Sequence, residues 1–337
     1  MALGARPYAL NITNVTQTLD ISARISEYDS ILYHRCVMSS LKINSGLFFA
    51  VFLWASAFVG IRLGLTSYSP GSLALFRFLI ASACMLLIYS RQSNCQKIPW
   101  SIRLQLGLLG VAGIGVYNTC LNYGELTVSA GVASFVIGLM PVLTIVLSVI
   151  FLAERPTRTI YFGILVSFSG LVLMLLAGKG AETISYGVLM IFLAALTGVI
   201  YTLLQKPYLQ YVHPVAVTAW IIWGGTLSLM VFAPALFREI SVARPEATWA
   251  VIYLGIFPAA LAYLAWSYAL KALSASMASI YLYAMPVISS LLGYLILHEK
   301  PSNWSLCGGV LAMVGAFYAS RSSVVLTSTR SQSNDAL

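Results

Sequence analysis

Long apolar runs separated by short polar links are the main pattern along this chain of 337 residues. Uncharged runs such as 104–121 and 184–204 reach the roughly 20 residues that a helix needs to cross about 30 Å of hydrocarbon. The short links leave no room for a soluble catalytic domain between the runs. Glycine, proline and charged clusters delimit the runs and predict ten membrane-spanning helices, near residues 46–64, 71–90, 104–122, 129–152, 159–177, 184–205, 214–233, 249–271, 275–297 and 303–320.

Composition agrees with a chain whose main solvent is the lipid bilayer. Hydrophobic residues make up 59% of the chain and charged residues 9%, whereas soluble domains carry about 25% charged residues. The net charge of +9 is spread between the apolar runs, so it lacks the continuous basic surface that nucleic acid requires. Cys84, Cys120 and Cys307 lie inside apolar runs without a metal-ligand spacing to histidine, and we predict no metal and no cofactor.

The distribution of basic residues predicts the orientation in the membrane. With the N-terminus in the cytoplasm, 11 Lys and Arg residues near the ends of the predicted spans lie inside and 5 lie outside. We therefore expect both termini on the cytoplasmic side of the cytoplasmic (inner) membrane. Residues 1–42 have no cleavable-signal pattern and are expected to be a disordered cytoplasmic tail, with Met38 as a second candidate start of translation. Residues 321–337 are expected to form a second cytoplasmic tail.

The chain repeats itself at an offset of 145 residues. The offset places Met140-Pro141-Val142 on Met285-Pro286-Val287, and Glu154-Arg155-Pro156 on Glu299-Lys300-Pro301. The repeated unit spans five predicted helices, and because five is odd the second copy must cross the membrane in the opposite direction. We therefore predict an all-α polytopic membrane protein with ten transmembrane helices in two inverted five-helix repeats, 43–178 and 179–320.

These paired motifs are similar to those of a known protein family. Together with Gly163 and Gly308, they resemble the drug/metabolite transporter superfamily, in particular its EamA-type ten-helix members. The likeness covers residues 46–320 and is looser in the front part of each half. It implies a secondary carrier that exports or exchanges amino acids, metabolites or drugs. Inverted repeats fit this role, because rocking of two related halves can expose one central site to either side in turn.

Arg77 is the most informative charge, because it lies inside the second predicted span. A guanidinium in hydrocarbon usually faces protein or a wet cavity, where it could attract an anionic substrate group. The alternative is an arginine near a helix end that extends its head to the outer interface.

Aromatic and polar side chains in other spans are candidates for a substrate cavity. Asn118 and Asn122 share one helical face, and amides in hydrocarbon seek partners, so we expect this face to turn inward. Packing is the alternative for each aromatic residue. The remaining candidates are Trp54, Ser56, Tyr201, Tyr263, Trp266, Tyr281 and Tyr283.

Repeat-related prolines and glutamates indicate structural roles. Pro141 and Pro286 each interrupt a span and are predicted hinges, although membrane helices also tolerate proline without movement. Glu154 and Glu299 end spans four and nine, where a carboxylate needs a cation or hydrogen bond to offset the helix dipole. We interpret them as structural anchors, with a proton or gating site as the alternative. Proton coupling stays open: the spans have no central carboxylate, and Glu125, in a link, is the nearest substitute.

We conclude that the sequence favours a secondary transporter or exporter that moves a small molecule through the bilayer by alternating access. No P-loop pattern indicates ATP use. The alternative is a membrane-embedded enzyme or lipid-handling protein, which would need a reactive pair or a metal cluster at membrane depth. The oligomeric state cannot be read from the sequence.

Overall fold

In the computed structural model, residues 43–92, 98–152, 158–176, 181–273, 275–299, 303–304, 306–315 and 317–318 are described. The two tails, Glu154, Arg155 and Lys300 lie outside these residues. Within them the chain forms ten apolar helices, some of them broken. These are α1 (Ile43–Gly64), α2 (Pro70–Ser90), α3 (Trp100–Gly124), α4 (Ala130–Leu147), α5 (Arg158–Leu176), α6 (Ala181–Gln205), α7 (Pro214–Glu239), α8 (Pro245–Ala272), α9 (Met277–Leu297) and α10 (Leu306–Gly315).

Eight of these helices are long and apolar enough to cross a membrane, and α5 and α10 contain the shorter apolar stretches Tyr161–Gly170 and Leu306–Gly315 within the described residues. Helix α7 continues to Glu239, beyond the predicted end at residue 233. Helix α8 begins earlier than predicted, because Pro245 suits the first turn of a helix, where no backbone N–H is needed. Large apolar side chains such as Leu108 and Leu227 are 61% and 75% exposed, as expected for a surface in contact with lipid.

The contacts between repeat-related helices show that the halves are inverted. Ser289 of α9 donates from Oγ to the carbonyl oxygen of Ala130 in α4 at 3.1 Å. Further along α4, Gly138 lies against Pro286. Residue numbers rise along α4 as they fall along α9, so these proline-containing helices run antiparallel. This confirms the predicted inverted repeats.

Helices α5 and α10 show the same relation at a tight crossing. Gly170 lies against the backbone of Gly308, and Gly315 lies against the backbone of Gly163, so closely that a Cβ at Gly170 or Gly315 would overlap the other helix. Between them, Ser167 donates to the carbonyl oxygen of Ala312 at 2.8 Å. The small residues therefore form an intramolecular contact between two antiparallel helices.

Both halves also deviate from regular helix at corresponding places. Helix α3 contains a π-helical segment, Val111–Val116, and α8 contains another, Gly255–Leu261. Helix α4 is interrupted at 138–139, and a 3₁₀ segment, Tyr281–Ala284, interrupts α9. Each broken helix resumes at the Met-Pro pair of the repeat, because proline lacks the N–H that an interior turn requires. The role of Pro141 and Pro286 as hinges stays a prediction.

Candidate functional site

A cavity lies between the two halves, next to these irregular segments. It encloses about 620 Å³ of space between atoms, including its mouth. Seven helices contribute to it: α1, α2, α3 and α4 from the first half, and α6, α8 and α9 from the second. The lining residues are Trp54, Ala57, Phe58, Ile61, Arg77, Gly113, Tyr117, Leu121, Ile137, Met140, Gly198, Tyr201, Thr202, Tyr263, Trp266, Leu282 and Met285.

An aromatic cluster forms one wall of the cavity. The Trp54 ring lies 5.5 Å from that of Tyr263 and 5.1 Å from that of Trp266, measured between centroids. Trp54 donates from Nε1 to the carbonyl oxygen of Pro258 at 3.1 Å. Pro258 lies in the π segment of α8, where the altered hydrogen-bond pattern leaves a carbonyl for a side-chain donor. The break in the helix thus fixes the orientation of Trp54.

Glycines admit the tyrosines of the opposite wall. The Tyr201 ring occupies the space that a side chain at Gly113 would fill, and the Tyr117 ring lies over Gly198. The centroids of the Tyr201 and Tyr263 rings are 6.3 Å apart. Close packing of α3 against α6 therefore presents tyrosine side chains from both halves to one space.

Arg77 is the charged residue among those that line the cavity. Its side chain is 3% exposed, so it does not extend to an interface. Nη1 donates to Oδ1 of Asn118 at 3.2 Å, and Asn118 in turn donates to the carbonyl oxygen of Ile114 in the π segment of α3 at 2.9 Å. The Arg77 Nε atom has no hydrogen-bond partner within the described residues. The guanidinium is thus held by a neutral amide, and the described residues place no carboxylate within ion-pair distance of it.

The structure brings Trp54, Arg77, Tyr201, Tyr263 and Trp266 to the cavity wall, with Asn118 directly behind Arg77. The other sequence candidates lie elsewhere. Asn122 is buried and donates to the carbonyl oxygen of Pro70 at 2.9 Å, while Ser56 bonds the Tyr253 hydroxyl at 2.6 Å. Tyr281 is partly exposed, and Tyr283 packs against Val142 and Phe317. These four side chains are not part of the lining.

Sequence reasoning missed several lining residues. Tyr117 neighbours the predicted Asn118 and could have been found as an aromatic on the same inward-facing stretch. Phe58 and Ile137 carried no signal, because an apolar side chain in a membrane helix looks the same whether it faces lipid or a cavity.

A cluster of charged side chains lies at one end of the molecule, with Glu125 buried and Arg62 and Glu299 partly exposed. We call Arg62, Glu125, Ala130 and Glu299 the Arg62 end. Arg62 Nε pairs with Glu299 Oε1 at 3.2 Å, and Arg62 Nη1 donates to the backbone oxygen of Glu125 at 2.6 Å. Glu299 Oε2 accepts the backbone N–H of Ala130, at the start of α4, at 3.0 Å. One carboxylate thus joins α1 to the N-terminus of α4, as expected for a structural anchor at neighbouring helix ends.

The end of α9 positions this carboxylate. His298 adopts a left-handed conformation with φ of 54°, and the Glu299 N–H returns to the carbonyl oxygen of Gly293 at 3.2 Å. This is a turn that ends a helix and redirects the chain. It points the Glu299 side chain back toward α4.

A second cluster, the Lys206 end, consists of Lys206, Leu270 and Leu273. Lys206 Nζ donates to the carbonyl oxygens of Leu270 and Leu273, the latter at 2.6 Å, and so joins α6 to the end of α8. Next to it, Tyr208 donates to Gln105 near the start of α3 at 3.0 Å. Glu125 follows the last residue of the same helix, which is 25 residues or about 37 Å long. The two clusters therefore lie at opposite ends of the molecule, with the cavity between them.

Comparisons with known proteins support the same architecture. The EamA-like transporter family matches residues 41–176 and again residues 185–321. A protein of known crystal structure aligns with a TM-score of 0.61 at 22% identity, over 82% of this chain and 96% of that chain, which shows a shared fold.

Two relatives match over most of their length. The chain is 38% identical to the uncharacterized transporter YdfC of Bacillus subtilis, over 79% of this chain and 87% of the relative. It is 31% identical to a protein of Streptantibioticus cattleyicolor named "Probable terminal-alkyne amino-acid exporter", over 82% and 92% respectively. The resemblance inferred from the paired motifs is confirmed: the chain is an integral membrane protein of the EamA-like transporter family.

Proposed function

We propose that this transporter carries a small amphipathic carboxylate, with amino acids as the best-supported class, across the cytoplasmic membrane by alternating access. The observation on which the proposal depends is Arg77, a buried cation in the cavity wall that is held by an amide and not by a carboxylate. A buried charge is unfavourable unless it is paired. A substrate carboxylate would supply the missing partner and could accept hydrogen bonds from a guanidinium at two points.

The rest of the lining suits the remainder of such a substrate. Trp54, Tyr263 and Trp266 offer apolar faces to a hydrocarbon side chain and electron-rich rings to an ammonium group. The relative named as an amino-acid exporter supports this class and favours efflux. Other carboxylates with an apolar body fit the same groups.

Alternating access is supported by the inverted halves and by the two clusters that join helices at opposite ends of the molecule. Opening the Arg62 end while the Lys206 end stays closed, and then the reverse, would expose one cavity to each side in turn. The 11-to-5 excess of basic residues supports cytoplasmic termini, and with this orientation the Arg62 end would face outside. A reporter fused to the C-terminus tests this orientation. We propose 43–178 and 179–320 as the two moving halves.

Uptake into proteoliposomes tests the substrate class with paired compounds that differ by one group. Phenylalanine and phenethylamine share the ring and the amine, but phenethylamine lacks the carboxylate. We expect exchange of phenylalanine or another hydrophobic amino acid, no exchange of the matching amine, and about a hundredfold loss in Arg77→Ala, since a lost charged contact is worth about 3 kcal/mol. Arg77→Lys should recover part of the loss, because it keeps the charge but not the paired geometry.

Arg238→Ala is the matched control, since Arg238 is exposed and bonds only to the carbonyl of its own helix among the described residues. Equal uptake of acid and amine, or full activity in Arg77→Ala, would rule out the carboxylate site.

The alternative of an embedded enzyme or lipid-handling protein has less support, because the described lining is aromatic and aliphatic apart from Arg77 and Thr202. We therefore propose transport without catalysis.

A further inference from the structure

Glu125 is the most unusual ionisable group at the Arg62 end. It follows the last residue of α3, and its side chain is 0% exposed. Neither carboxyl oxygen has a hydrogen-bond partner within the described residues. A carboxyl group in a membrane link is ordinarily solvated, so its complete burial needs an explanation.

The groups around Glu125 do not compensate for this burial. Arg62 donates to its backbone oxygen and pairs with Glu299, so the nearest cation is already engaged. The other ionisable side chains whose charge acts on it are Glu299, Arg77 and Tyr117. Burial raises the pKa of Glu125 well above its ordinary range; Arg62 and Arg77 oppose this rise and Glu299 adds to it. The neutral, protonated form is therefore favoured in this conformation.

We propose that Glu125 is a proton-binding site whose occupancy is linked to closure of the Arg62 end. In the closed conformation the buried carboxyl group holds a proton. When the cluster separates, water reaches the carboxyl group and stabilises its charged form, so the proton is released. A ligand that prefers one of two conformations shifts the equilibrium toward it, and here that ligand is the proton.

The second half of the molecule shows that the contact between a cation and this backbone oxygen does not require the carboxyl group. Leu270 occupies the repeat position of Glu125, and its backbone oxygen receives the same kind of contact, from Lys206. The backbone contact is thus common to both ends, whereas the buried carboxyl group occurs, among the described residues of the two clusters, at the Arg62 end. This asymmetry assigns proton binding to one side of the transport cycle.

Infrared spectroscopy of the full chain in lipid nanodiscs, without substrate, tests the proton site directly. A protonated carboxyl group has a carbonyl absorption distinct from that of a carboxylate. We expect this band at neutral pH in the wild type and in the control Glu246→Gln, because Glu246 is exposed. We expect its loss in Glu125→Gln and in Glu125→Leu. A band that persists in both Glu125 variants, or is absent from the wild type, would overturn the proposal.

Coupling to transport rests on the proposed function and needs a second measurement. In proteoliposomes with phenylalanine as the probe, the ratio of uptake with an imposed pH gradient to uptake at equal pH should differ from one in the wild type. It should fall to about one in Glu125→Leu and stay at the wild-type value in Glu246→Gln. A normal ratio in Glu125→Leu would refute coupling through Glu125. If the wild type exchanges no phenylalanine, the proposed substrate class fails, and the infrared band still decides the proton site.

Discussion

The Arg62 end and the Lys206 end share one kind of backbone contact but differ in their side chains. At the Arg62 end, a cation at the end of α1 donates to the carbonyl oxygen of Glu125; at the Lys206 end, a cation at the end of α6 donates to that of Leu270. Both cations lie eight residues before the proline that opens the next helix, Pro70 or Pro214. The shared contact belongs to the duplicated fold, since it links corresponding helices in both halves.

The two ends differ in the ionisable side chains that surround this contact. The Arg62 end contains an ion pair and a buried carboxyl group, whereas Leu270 and Leu273 offer the Lys206 end only backbone oxygens. The two similar halves can therefore respond to pH through different groups: a buried carboxyl group at the Arg62 end and, near the Lys206 end, His213, whose pKa is lowered by burial and by Lys271. Exchanging side chains between the ends tests whether the difference matters.

The largest effect on stability is expected from Arg62→Ala. It removes the ion pair to Glu299 and the hydrogen bond to the Glu125 carbonyl, and hydrogen bonds to charged groups contribute about 1.5–3 kcal/mol when buried. Because Arg62 is 34% exposed, we expect about 2 kcal/mol less free energy of unfolding. Unfolding in mixed micelles with increasing dodecyl sulfate measures this loss.

A double-mutant cycle with Glu299→Ala separates the ion pair from the other contacts. The two losses should add to more than the loss in the double variant, since each single change removes the same pair. Strict additivity of the two losses would mean that the ion pair contributes nothing to the free energy of unfolding. Arg62→Lys should retain more stability than Arg62→Ala, because a lysine suffices for the corresponding contact at the other end.

A smaller loss is expected from Lys206→Ala. The ammonium group donates to two backbone oxygens but has no ion pair among the described residues, so we expect about 1 kcal/mol in the same unfolding assay. Lys271→Ala is the control, as Lys271 lies near the same end and is exposed. A loss as large as that of Arg62→Ala would remove the energetic difference between the ends.

The architecture could be predicted because its signals depend only on the order and spacing of residues in the sequence. The Met-Pro pairs at Pro141 and Pro286 revealed the repeat, and an odd number of spans required inversion. The buried face of Asn118 and Asn122 was also predictable, since amides avoid hydrocarbon. These inferences need only the periodicity of an α-helix and the low polarity of the membrane interior.

The remaining features depend on tertiary contacts that spacing does not encode. At a helix end Glu299 needs a cation or a hydrogen bond, but its described partner, Arg62, lies 237 residues away in the sequence, so spacing cannot identify it. Tyr281 and Tyr283 are cavity candidates because they are aromatic residues within a predicted span, but Tyr283, in a 3₁₀ segment, packs against Val142. The π segment of α8 likewise places the Pro258 carbonyl where the Trp54 indole can reach it.

The stability of Glu125→Leu should differ least from that of the wild type at acidic pH, where both side chains are neutral and similar in size. The main difference should be in how stability changes with pH. The folded-state pKa of Glu125 is raised by burial, so the folded protein binds this proton more tightly than the unfolded chain. The stabilisation is present below the ordinary glutamate pKa of about 4.3 and is lost as pH rises through the folded-state value. Wild-type stability should therefore fall with rising pH over this window, and the fall should be smaller in Glu125→Leu, as measured by thermal unfolding in nanodiscs. Equal slopes in the two proteins would mean that Glu125 is ionised in this conformation, and the buried carboxyl group would then not distinguish the Arg62 end in its response to pH.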